Sequence, residues 1–104
     1  MTKLEWGATS PKRLMWSEAI AWCEALGDGW RAPTVEELIS VWDYEAGKAR
    51  IEGFRSNGYW SAFTYVPSPS RAWFVLLIDG HVVAFNKGGN FYVRAVRTVE
   101  EDVR

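Results

Sequence analysis

The sequence is short of the residues from which most catalytic and metal centres are built. Among its 104 residues there is one cysteine, Cys23, and one histidine, His81. A single cysteine excludes an internal disulfide and a cysteine-rich metal site. A lone histidine leaves the general-base role unspecified, because a base needs an orienting partner and a nucleophile within reach. Charge of one sign is scarce as well. Lys plus Arg total 12 against 13 for Asp plus Glu, a formal net charge of -1. That balance removes the electrostatic footprint of a general nucleic-acid binder. No apolar run approaches the roughly 20 residues that cross a bilayer, so no membrane insertion is expected.

Aromatic surface is what the chain has in plenty: 7 tryptophans, 5 phenylalanines and 4 tyrosines. Each tryptophan can bury on the order of 200 Å². In a chain that fits a single domain, 1–104, most of them must be core. Residues 99–104 read as a frayed tail.

Local chemistry sets the order of elements. Leu4-Glu5-Trp6 reads as a short first strand, ended by the turn-prone "GATSPK". From Trp16, apolar residues recur at three and four (Ala19, Ile20, Cys23, Leu26), the stripe of an amphipathic helix, with Ser17 as its cap and Gly27 at its end. Asp28-Gly29 supplies a turn. Thr34, three residues before Glu37, has capping-box spacing and starts a second helix, whose Val35, Leu38, Ile39 and Trp42 share a face.

After the polar connector "EAGKARIEGFRSNG" the period becomes extended. "YWSAFTY", 59–65, reads as a strand, and "VPSPSR" as a surface loop because its prolines forbid strand or helix. Asp79-Gly80 forms a hairpin turn between strands at 72–78 and 81–86. The turn "NKGGN" then leads to "FYVRAVR", 91–97, completing a three-stranded meander. Two helices followed by antiparallel strands predict an α+β domain.

The segments "WSEAIAWCEALGDGWRAPTVEEL", "YWSAFTY" and "AWFVLLIDGHVVAFNKGGNFYVRAVR", in that order, resemble the Lcl C-terminal family, a bacterial and phage domain found at the end of collagen-like adhesins. The resemblance covers residues 4 to 98. It implies a C-type-lectin-like fold, in which two helices pack on a small twisted antiparallel sheet and the first and last strands are adjacent. Family members carry a cysteine in the first helix and one in the last strand. Here the first matches Cys23 and the second position is Ala95, so the implied bridge is absent. Cys23 is then expected to pack as a small buried hydrophobe.

Candidate chemistry is thin. "VPSPSR" and "VVAFNKGG" lack the oxygen ligands that a calcium-dependent lectin site requires, so no metal or other cofactor is expected. The stretch "WRAPT" also resembles formylglycine-generating enzymes, whose oxidase members hold copper with a cysteine pair; Cys23 stands alone, and no enzyme is expected. Lys87-Gly88-Gly89 precedes a strand rather than a helix, so it reads as a hairpin and not a phosphate loop. Trp60 and Trp73 are assigned to the core. Arg71, Lys87, Arg94 and Arg97 read as a basic strip whose arginines more often pair with acidic residues than meet a ligand.

The expected function is recognition without catalysis, as a phage or bacterial effector. A protein partner is favoured over a glycan, because the calcium apparatus is missing. The contact residues expected are Tyr44, Tyr59, Tyr65, Ser68, Arg71, Lys87, Asn90 and Arg94, on the loop 66–71, the turn 87–90 and the flanking tyrosines. Phe63 is a further aromatic of open burial. The alternatives are a structural tip module of a phage fibre or adhesin and, less favoured, the formylglycine-type oxidase. "MTKLEWGATS" lacks the apolar stretch of a secretory signal. The expected location is therefore cytoplasmic, in the host cell if phage-encoded, or virion-associated.

Overall fold

The computed structural model describes residues 2–100. Its elements are β1 (Thr2–Thr9), α1 (Trp16–Glu24), α2 (Val35–Ser40), β2 (Trp42–Asp43), β3 (Lys48–Ala49), β4 (Gly58–Thr64), β5 (Arg71–Leu76), β6 (Val82–Asn86) and β7 (Arg94–Glu100). The result is a small α+β domain of two helices and antiparallel sheets. No helix among the described residues is long and apolar enough to cross a membrane.

Both helices start where side-chain chemistry can hold free amides. At α2 the Thr34 hydroxyl accepts from the Glu37 amide at 3.1 Å, and Glu37 Oε1 accepts from the Thr34 amide at 2.8 Å. This is the reciprocal box expected from the spacing. Arg31 then clamps Glu37 with both guanidinium nitrogens, each at 2.8 Å. At α1 the cap position is Met15 rather than Ser17, with Glu18 Oε1 accepting from the Met15 amide at 3.1 Å. The helix gives way at Ala25, and Gly27 follows with φ 71°, a left-handed angle that suits glycine.

The strands form three sheets: β1-β7, β2-β3 and β4-β5-β6. The meander is therefore β4-β5-β6, and the last strand does not join it. Residues 87–93 carry the chain across the far edge of β4, where the Trp60 amide donates to the Tyr92 carbonyl at 3.0 Å. β7 then pairs with β1, Trp6 opposite Val96 and Leu4 opposite Thr98. On β7's other side Arg31 and Val96 exchange both backbone bonds at 2.9 Å. Val99 and Glu100 belong to β7, opposite Lys3 and Thr2, so the tail expected from 99 is ordered strand to 100. Residues 101–104 lie outside the described residues. The connector 43–57 contains the short β2-β3 hairpin, with Asp43 Oδ1 capping the Glu45 and Ala46 amides.

Two buried clusters lie on opposite faces of β4-β5-β6. On the α1 side are Trp60, Phe74, Ala72, Cys23, Ala95 and Val93; on the α2 side are Tyr59, Val75, Leu77, Leu38 and Trp42. The middle of the sheet is thus covered twice, so Tyr59 and Trp60 are both fully buried although they point in opposite directions. Trp60 donates its indole N–H to the Leu14 carbonyl at 2.9 Å, and Trp16 donates to Ser61 at 3.0 Å. Among the described residues every buried side-chain polar atom has a hydrogen-bond partner.

Candidate functional site

The eight residues expected to make contacts do not form one site. Tyr65, Ser68, Arg71 and Lys87 come together at the end of the sheet where β4 turns into β5 and β6 ends, and Asn90 follows on the turn after β6. The Lys87 amide donates to the Ser70 carbonyl at 2.9 Å, tying the two turns. Tyr65 meets Trp73 edge-on at 4.8 Å, and Lys87 Nζ lies 4.3 Å from the Trp16 ring centre. Tyr44 is at the opposite end, 59% exposed, its hydroxyl donating to the Gly80 carbonyl at 2.8 Å.

Two of the eight are corrected by their surroundings. Tyr59 has no exposed surface: its ring packs on Phe54, and its hydroxyl accepts from the Arg55 amide at 2.7 Å. Burial raises its pKa. Arg94 is committed to backbone carbonyls, Gly7 at 2.8 Å and Glu52 at 2.7 Å, and lies over the Phe54 ring at 4.6 Å. It holds the 43–57 connector against β1. Arg97, by contrast, pairs with Glu5 at 2.6 Å, as expected for a strand arginine.

Cys23 and His81, the single thiol and imidazole, sit in opposite surroundings, one buried and one in solvent. Cys23 is fully buried, and burial, assisted by the nearby Glu24 charge, pushes its thiol up to about 12. It shares its cluster with Ala95, in the strand where the family's second cysteine was expected. His81 Nδ1 is 2.7 Å from Asp79 Oδ2, and both side chains are open to solvent. The His81 amide also bonds Asp79, the main reason that carboxyl sits below its usual range. No group of three or more His, Cys, Asp or Glu among the described residues is placed to hold a metal.

The surface that stands out is centred on Phe63, which is 53% exposed. Phe63 lies in the stretch of β4 between Trp60 and Thr64 where the regular register with β5 is lost. Grooves flank it on both sides. One, of about 270 Å³, is lined by Val35, Glu36, Trp73 and Val82; the other, of about 390 Å³, by Ile20, Ala62 and Thr34 with Glu24 and Arg31 at its rim. Past the end of β4 the chain runs through Tyr65 to Val66, 81% exposed, so the ridge leads into the loop end. Alternation from Trp60 gives the face of Phe63 but not its neighbours or exposure, because the register there slips by two residues: Trp60 is opposite Phe74 and Thr64 opposite Ala72.

A larger cavity, about 710 Å³, lies at the Tyr44 end, walled by Trp42, Lys48, Arg50, Phe54, Leu77 and Ile78 among others. Sequence reading passed over it because its walls come from the connector, whose composition looks like plain loop. Asp43, which also lines it, faces Arg50 at 3.9 Å and caps the hairpin turn with its other oxygen.

Fold and surface together define a small α+β domain with an exposed aromatic ridge. The profile of the Lcl C-terminal domain matches residues 1–97, and the chain belongs to that family. No curated protein sequence matches it significantly.

Proposed function

We propose that the chain is a non-enzymatic recognition domain of C-type-lectin-like architecture that binds a protein partner through the Phe63 ridge and the adjoining loop end. The observation that carries this reading is one exposed phenylalanine shared by two apolar grooves with acidic and basic residues at the rim. A buried aromatic anchor with a polar rim is the energetic pattern of protein interfaces, and contiguous exposed apolar surface is seldom retained without a partner. Pairing of first and last strands beside two helices supports the lectin-like architecture. The burial of Cys23 supports the absence of thiol chemistry. An effector acting in a cytoplasm, or a virion component, fits this reading.

A glycan is the second reading, favoured by the 710 Å³ cavity with its mixed polar and aromatic walls. The two separate by mutation. Protein captured from a host lysate should be lost with Phe63→Glu and kept with Arg50→Ala, while a glycan array stays blank. Glycan binding that is lost with Arg50→Ala and kept with Phe63→Glu would replace the first reading with the second.

A further inference from the structure

β6 is the outer strand of the β4-β5-β6 sheet. Hydrogen bonds at its two ends fix which way its backbone points. The Lys87 amide donates to the Ser70 carbonyl at 2.9 Å, and the Leu76 amide to the His81 carbonyl at 2.8 Å. The register runs unbroken from Arg71 opposite Asn86 to Val75 opposite Val82. Antiparallel alternation then turns the backbone groups of Val83 and Phe85 toward β5, and those of Val82, Ala84 and Asn86 outward. Among the described residues nothing pairs with the outward groups of Val82 or Ala84.

Monomeric proteins guard such an edge with lysine, proline, an inward charge or a bulge. "VVAFN" has none of these, and Val82 and Phe85 are 37% and 42% exposed on its two faces.

We propose that β6 pairs antiparallel with β6 of a second copy across a two-fold axis at Ala84, joining two three-stranded sheets into one. The register follows from the outward groups. Centring on Ala84 sets 84 against 84 and 82 against 86, so every outward residue meets an outward residue. Val83 then lies opposite the second copy's Phe85 in a non-hydrogen-bonded pair, where side chains approach closest. Charge agrees with this register. No charge falls within 82–86, so like charges do not meet along the seam. At each end Lys87 meets the second copy's His81, one pleat from Asp79, whose side chain is half exposed. A basic end therefore faces an acidic one twice, the reciprocal match that a two-fold interface requires. A foreign strand would add backbone bonds without that reciprocity. The pairing stands independently of the Phe63 reading.

The test is light scattering on the purified chain over a concentration series, with position-specific crosslinking. Wild type should form dimers as concentration rises, and Ala84→Lys, which sets two ammonium groups against each other at the axis, should lose the dimer peak. Under mild oxidation Ala84→Cys should give a covalent dimer, because hydrogen-bonded partners lie about 5.5 Å apart at Cα, within disulfide reach. Val82→Cys should not, because its own copy is four residues away along the seam, roughly 13 Å. Cys23 is buried and adds no background. A monomer at every concentration, a dimer that survives Ala84→Lys, or equal crosslinking from positions 82 and 84 would overturn the proposal. If Ala84→Lys fails to fold, the cysteine pair still decides it.

Discussion

At the scale of single residues, burial decides what each group can do. Cys23 packs among Ala19, Ala32 and Trp60, and its thiol, raised to about 12, stays protonated through the neutral range. Thiolate is the reactive form, so a chromogenic thiol reagent at pH 8 should label unfolded chain and leave folded chain unlabelled. Fast labelling of the native protein would show that the α1 packing is wrong. Trp60 separates shape from hydrogen bonding. Trp60→Phe keeps an aromatic ring but leaves the Leu14 carbonyl, which accepts the indole N–H, without that donor. That carbonyl keeps the Phe91 amide at 3.0 Å, so the expected loss from denaturant unfolding is about 1 kcal/mol for the hydrogen bond, with some cavity cost added. An unchanged midpoint would mean that water replaces the donor. The core role of Trp60 was legible in the sequence. The burial of Tyr59 was not, because alternation says only that neighbours face opposite ways, and cannot say that both faces are covered.

At the scale of elements, α2 is too short to be stable alone and leans on its cap and on Arg31. Thr34→Ala should cost about 1 kcal/mol. The Glu37 carboxyl is held below its usual range, first by the Arg31 hydrogen bond and also by the Thr34 amide. A depressed carboxylate pKa stabilises the fold above the unfolded value, about 4.3, and that contribution fades as pH falls through the folded value. The melting-temperature gap between wild type and Glu37→Gln should therefore be full at pH 7 and shrink below about pH 4.3. A gap constant down to pH 3 would contradict the ion pair. This box was readable because its parts lie three residues apart. The partner of β7 was not, since Trp6 and Val96 are joined only through the whole fold; periodicity alone extended the meander, and the family resemblance alone put first and last strands together. The turn at Gly80 was readable, and its φ is a positive 78°; the close approach of Trp42, 2.5 Å from where a Cβ would stand, was not, because it too is joined only through the fold.

At the scale of the whole molecule, two buried layers grip one sheet and leave its loop end and Phe63 exposed. The loop 66–71 and the turn 87–90 were legible as loops because turn chemistry marks loop ends in sequence, and the Lys87–Ser70 backbone bond places the two side by side. Phe63 and the large cavity were not assigned, because a register slip and a folded connector set their surroundings. The most direct test of the ridge is to place a photoreactive phenylalanine analogue at position 63, with the same probe at Tyr44 as control, and irradiate the chain in host lysate. The account predicts a discrete covalent adduct with a protein from position 63 and none from position 44. Adducts from 44 with none from 63, or adducts to carbohydrate, would contradict it.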